Sequence, residues 1–263
     1  MIRPLLTLLC FLLIFTTGIA HDLEQYERKV FVANGDSLPY RILYPEDFDP
    51  AKKYPLVMIL HGAGERGNNN ESQLVYGARL FLEPQNRQQF PAIVVFPQCP
   101  KDSYWSNVNI VTDESGKRTF NYLEEVGEPT KAMRALMGLL KELEKSGTVD
   151  KKRMYIGGLS MGGMGTFELL RREPKKFAAA FPICGGGHPA GVKKYAKGVD
   201  MWIFHGEVDG VVPVEKSRIM ADAIKAAGGN VKLTIYPGVN HNSWDYAFKE
   251  PDLLPWLFSH KKR

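Results

Sequence analysis

Met154-Tyr155-Ile156-Gly157-Gly158-Leu159-Ser160-Met161-Gly162-Gly163 joins an apolar run to the start of a helical pattern, with a serine at the joint. The run Arg153–Gly157 lacks polar alternation, which predicts a strand buried on both faces. Met161–Arg172 repeats its apolar residues at helical spacing. Between them, Gly158-Leu159-Ser160-Met161-Gly162 is a G-x-S-x-G pentapeptide, a weak motif alone but a specific one between strand and helix. Such a turn holds the serine hydroxyl out at the sheet edge. Glycines on both sides relieve crowding, and the helix N-terminus favours negative charge on a tetrahedral intermediate.

The alternation extends in both directions. Pro55–Leu60, Ala92–Phe96, Phe177–Ile183, Met201–Phe204 and Val231–Tyr236 are short apolar runs. Thr130–Ser146, Val214–Ala227 and a stretch near Asp252–His260 read as helices, two of them stopped by Gly147 and Gly228-Gly229. Upstream, Tyr26–Ala33 and Leu38–Tyr44 flank Asn34-Gly35-Asp36, a hairpin signal. A hairpin followed by repeated β-α units predicts an α/β fold, with a mostly parallel central sheet, helices on both faces and an antiparallel N-terminal hairpin. Strand C-termini then share one edge, where ligands bind. Lys101–Gly127 is too long for an ordinary connection. Its segments Val108–Val111 and Arg118–Tyr122 flank Asp113-Glu114-Ser115-Gly116, so an inserted hairpin, a lid or a substrate wall, is expected there.

The 263 residues are 44% hydrophobic and 24% charged, which excludes disordered, collagenous and coiled-coil classes. The net charge of +5 is spread among 29 acids, and its basic stretches carry no interleaved aromatics, so nucleic acid is not the expected partner. Residues 1–20 stand apart: Arg3 is the only charge, an apolar run follows, and Gly18-Ile19-Ala20 offers a small-x-small ending. This predicts a signal peptide cleaved after Ala20, a secreted or periplasmic product without a stable membrane span, and a single domain over 21–263. An uncleaved anchor is the alternative. Of three cysteines, Cys10 falls in the leader, which leaves Cys99 and Cys184.

A serine nucleophile needs a base held by a third group. Of the six histidines, His21 and His260 lie near the ends, His188 lies in a glycine-rich loop, and His61 and His205 close apolar strands. His241 follows the last strand, where the order Ser…Asp…His places the base. The preceding strand ends in His205-Gly206-Glu207-Val208-Asp209. Asp209 is the chosen acid and Glu207 the alternative. For an oxyanion, the Met161 amide is one donor and the Ala63 amide, in His61-Gly62-Ala63-Gly64-Glu65-Arg66-Gly67, is the candidate second. Glu65 and Arg66 either pair with each other or touch substrate. That loop is also a literal G-x-G-x-x-G, but Asn68-Asn69-Asn70 follows where a dinucleotide site needs a helix. No cofactor is expected, and no zinc-type spacing predicts a metal.

These segments, with Phe96-Pro97-Gln98-Cys99-Pro100, Trp105 and His241-Asn242-Ser243-Trp244, resemble the α/β-hydrolase superfamily over residues 26–260. The resemblance is to its phospholipase/carboxylesterase, dienelactone-hydrolase and feruloyl-esterase-like branch. It implies Ser160, Asp209 and His241 as a catalytic triad, Ala63 and Met161 as the oxyanion hole, and hydrolysis through an acyl-enzyme. Small-molecule or polysaccharide-linked esters, acetyl or feruloyl among them, are the substrates it implies. The alternatives are a serine peptidase of the prolyl-oligopeptidase type and a non-catalytic binding module. The family's strand order also implies that Cys99 and Cys184 stand three strand spacings apart and are free. Glu65, Trp105 and Trp244 are candidate substrate contacts, with core or rim packing as the alternative for the two tryptophans.

Overall fold

A computed structural model of the chain describes residues 23–262 apart from 34 and 117, so the expected leader and its cleavage site lie outside the described residues. Eight strands form one sheet in the order β1-β2-β4-β3-β7-β8-β9-β10. These are β1 (Glu27–Ala33), β2 (Asp36–Leu43), β3 (Tyr54–Leu60), β4 (Ile93–Pro97), β7 (Val149–Leu159), β8 (Ala179–Ile183), β9 (Asp200–Gly206) and β10 (Val231–Tyr236). β1 pairs antiparallel with β2, and β2 antiparallel with β4, while every other neighbour is parallel. The sheet is therefore the mostly parallel one expected, entered through an antiparallel hairpin. β7 begins four residues before the apolar run because Val149 pairs with Tyr54 ahead of a register shift.

The runs without alternation are the strands buried on both sides, β3, β4 and β8 among them. One face packs α2 (Lys131–Lys145), α3 (Met161–Arg172) and α4 (Glu215–Ala226) through residues such as Leu136, Phe167 and Ile224. The other carries single 3-10 turns over Ser72–Leu74 and Ala78–Phe81 and the C-terminal helix, through Leu74, Phe81 and Leu257. Two short α-helices, α1 (Pro84–Gln89) and α5 (Trp244–Ala247), and a 3-10 helix over Pro189–Lys194 precede that last helix, α6 (Leu253–Ser259). Thr130 caps α2, its hydroxyl accepting the Met133 amide at 3.1 Å. No helix of the described residues is long and apolar enough to cross a membrane.

The insertion carries its own two-stranded sheet, β5 (Val108–Thr112) and β6 (Arg118–Tyr122), paired antiparallel as expected. It is fastened to the body through main-chain oxygens. Arg171 donates to Leu123 O at 2.6 Å and also to Glu124 O, and Arg172 donates to Val126 O at 2.6 Å and Gly127 O at 3.1 Å. Lys216 Nζ reaches Phe120 O at 3.2 Å, and Phe120 packs with Met164 and Val212. Arg171 is buried, so its guanidinium bonds are made away from competing water. Arg171→Ala should cost ~2–4 kcal/mol in urea unfolding, since bonds to charged groups contribute about 1.5–3 kcal/mol each. It should also open the hairpin to limited proteolysis; cleavage no faster than in the wild type would contradict this account.

Candidate active site

Ser160 stands between β7 and α3 with φ +52° and ψ −113°, a left-handed conformation that a serine adopts only when its surroundings impose it. Its amide donates to Ile183 O at 2.9 Å and its carbonyl accepts the Met164 amide at 3.0 Å. The helix start is pressed onto the end of β3. A Cβ on Gly162 would lie 1.9 Å from Leu60 O, and one on Gly158 would lie 2.5 Å from Gly162 O. Both places are restricted to glycine by backbone approach.

Ser160 Oγ lies 2.9 Å from His241 Nε2, and His241 Nδ1 lies 2.8 Å from Asp209 Oδ2. A carboxylate only accepts, so Nδ1 carries the proton and Nε2 is left to accept from the Ser160 hydroxyl. Asp209 Oδ1 accepts the amides of Val211 at 2.8 Å and Val212 at 2.9 Å. Burial alone would push the Asp209 carboxyl up. Hydrogen bonds from His205, His241 and the Val212 amide outweigh it and hold the group well below the usual carboxylate range.

His205 is the donor the sequence reading did not assign. Its buried Nε2 lies 2.8 Å from Val212 O and 3.2 Å from Asp209 Oδ2, both acceptors, so Nε2 carries a proton. Nδ1 meets Ser217 Oγ at 2.7 Å. The i,i+4 spacing of His205 and Asp209 across a loop was the available signal. Glu207, the alternative acid, turns outward and accepts the Gly238 amide at 3.0 Å, which holds the loop leading to His241.

The Met161 amide opens α3 directly behind Ser160. Ala63 starts a single 3-10 turn after β3, with Gly62 set against Leu159. Glu65 and Arg66 do not pair. The Glu65 carboxylate folds back onto the Gly62 and Glu65 amides, and burial raises its pKa. Arg66 donates instead to Ala63 O at 3.0 Å, Ser103 O at 3.2 Å and Lys101 O at 3.3 Å. Trp105 is fully buried, edge-on to His61 and against Gly165, and belongs to the core rather than to a pocket wall. Trp244 is partly exposed beside His241, the rings edge-on at 5.3 Å, and Tyr76, which the sequence did not single out, packs against it at 5.2 Å. Cys99 and Cys184 are free, and β3 and β7 separate the strands that precede them.

His61 is structural. Its Nε2 accepts the Cys99 amide at 2.9 Å and its Nδ1 donates to Gly62 O at 2.6 Å. Burial pushes its pKa down to about 4 from 6.5. The unfolded chain therefore takes up a proton that the native state refuses, and this contribution, present above about pH 6.5, is lost as the pH falls towards about 4. The unfolding free energy from urea titrations should drop through that window by an amount on the order of 3 kcal/mol, with a shallower drop in His61→Gln. Equal slopes in both proteins would contradict it. At the elbow, Gly162→Ala should lose at least ~2 kcal/mol of stability, because the added Cβ overlaps backbone that cannot move aside. An unchanged melting temperature would show that the approach is not confining.

The phospholipase/carboxylesterase family model matches residues 49–250. A thermostable esterase of known structure aligns with a TM-score of 0.81 and 35% identity, over 92% of this chain and 64% of its own. A bifunctional acetylxylan esterase/xylanase of Neocallimastix patriciarum is 32% identical over 83 residues, 32% of this chain and 12% of its own length. Dipeptidyl-peptidase 5 of Porphyromonas endodontalis is 22% identical over 259 residues, 84% of this chain and 35% of its own. The chain thus spans a minor part of these two curated relatives and just under two thirds of the solved esterase. With the family model matched across most of its length and the sheet built as described, the chain belongs to the phospholipase/carboxylesterase family of α/β-hydrolases.

Proposed function

We propose that the protein is an exported serine carboxylesterase that works through an acyl-enzyme, with Ser160, His241 and Asp209 as its catalytic triad. The observation that carries this reading is the continuous relay of 2.9 Å from Ser160 to His241 and 2.8 Å from His241 to Asp209. His241 Nε2 takes the Ser160 proton as Oγ attacks the ester carbonyl, and Asp209 stabilises the imidazolium. The amides of Met161 and Ala63 receive the oxyanion, each such donor contributing about 10²–10³ in rate. His241 then protonates the leaving alcohol, and a water activated by the same nitrogen cleaves the acyl-serine. Export rests on the apolar leader of residues 1–20. The fastened hairpin of 101–127 serves as a fixed wall of the site rather than a moving lid. Beside His241, the partly exposed Trp244 offers an aromatic surface to the substrate. The acetylxylan esterase among the relatives supports carbohydrate-linked esters as one substrate class.

Ser160→Ala should lower hydrolysis of para-nitrophenyl acetate at least ~10⁴-fold while circular dichroism and the melting temperature stay native. Wild-type turnover in that variant would remove Ser160 from the chemistry. The likeness to a dipeptidyl-peptidase favours a second reading, a peptidase. A panel of acetylated xylan, feruloyl esters and short-acyl esters set against peptide para-nitroanilides separates the two. We expect turnover of the esters, and a preference for the peptides would install the peptidase reading instead.

A further inference from the structure

Between the strand that bears Ser160 and the one that precedes Asp209 runs β8, and the residue that follows it is Cys184. Cys184 is fully buried and held at φ +40°, a left-handed conformation for a residue with a side chain. One ligand atom each from Cys184, Asp209 and His241 lie within 4.8 Å of one another. Ser243, two residues beyond His241, is fully buried too, and its Oγ faces the Cys184 thiol at hydrogen-bonding range.

We propose that Cys184 Sγ, Asp209 and His241, with Ser243 Oγ beside them, form an inhibitory site for a borderline-soft divalent cation such as Zn²⁺ or Cd²⁺. The donor set of one sulfur, one nitrogen and one carboxylate is the mixture such ions select. Around tetrahedral Zn²⁺ these atoms stand roughly 3.3–3.8 Å apart, given bond lengths of about 2.0–2.3 Å. Side-chain movement of about an ångström closes the site. A thiolate and a carboxylate together cancel the charge of the dication, which makes a buried ion tolerable. Entry is past His241, whose side chain is 20% exposed while that of Asp209 is 0%.

Binding displaces one proton, that of the Cys184 thiol, to solvent. With the cation on His241 Nδ1, the proton of the neutral ring moves from Nδ1 to Nε2. Nε2 then donates instead of accepting, and Ser160 has lost its base. The inhibition rests on the triad reading proposed above, whereas the binding does not.

The test uses the full mature protein. Co²⁺ titrated into the wild type should produce a thiolate-to-cobalt charge-transfer absorption at one ion per chain, and Zn²⁺ should displace it. The same band should persist in Ser160→Ala, so the site can be read even if the protein is no serine esterase. Zn²⁺ should lower wild-type ester hydrolysis at least ~10-fold, with recovery on adding EDTA. Cys184→Ala, and Cys184→Gly as the variant best suited to the positive φ, should each raise the half-inhibitory Zn²⁺ concentration at least ~10-fold relative to their own metal-free activity. No charge-transfer band in the wild type, or equal Zn²⁺ sensitivity in Cys184→Gly, overturns the proposal.

Discussion

The approach of Gly162 to Leu60 O is the constraint on which the site depends. Every residue of α3 from Met161 to Arg171 is buried, so packing against the sheet and the insertion, not the turn, fixes where the helix lies. Pressed that close to β3, the chain cannot leave β7 and enter α3 by a relaxed path. Ser160 absorbs the mismatch at φ +52°. A side chain in that region costs about 1–3 kcal/mol, an amount the burial of Leu169, Leu170 and Phe167 readily offsets. The strained turn sets Ser160 Oγ 2.9 Å from His241 Nε2 and starts the helix at Met161.

Strand order sets the remaining distances. Ser160 leaves β7, while Asp209 and His241 follow β9 and β10, two and three strands away. At about 4.8 Å per strand, the His241 loop must travel back across the end of β9 to reach the serine. It does so over Gly206, where a Cβ would lie 2.3 Å from both Val239 O and Asn240 O. Asn240 Oδ1 then accepts the amides of Gly210 at 2.9 Å and His241 at 2.8 Å, which ties the acid loop to the base loop. The imidazole is thus placed by backbone crossing and one amide side chain rather than by its own packing alone.

These relations explain what could be read in the sequence. Ser160, Asp209 and His241 each follow a strand whose apolar run is unmistakable, and the fold brings the three side chains into one hydrogen-bonded chain, so their grouping was legible. So was the inserted hairpin, because turn chemistry is local. Features that depend on which strands are neighbours were not. Cys184 lies under the triad only because β8 runs between β7 and β9, and periodicity carries no strand order. Trp105 and Trp244 look alike in sequence, yet one fills the core behind His61 and the other stands at the rim. Arg171 reads as an ordinary charged helix residue, and only the folded insertion reveals the carbonyls that bury it. Residue-level patterns identify elements and their ends; the partners of a buried polar group are a property of the assembled topology.

The electrostatics of the site follow from one saturated anion. Asp209 accepts from Val211, Val212, His205 and His241, so a buried carboxylate that would otherwise be costly has its acceptor capacity filled. That arrangement holds a single negative charge where His241 needs one. It also excludes a second: burial first, and then the nearby Asp209 charge, push the Cys184 thiol far above its ordinary pKa, so it stays protonated beneath the triad. A neutral thiol leaves the polarity of the Asp209–His241 pair undisturbed, whereas a thiolate in the same place would compete for the Nδ1 proton. The same logic confines soft-ion chemistry at this position to an incoming dication, since only a species that brings its own positive charge relieves the repulsion that keeps the thiol protonated.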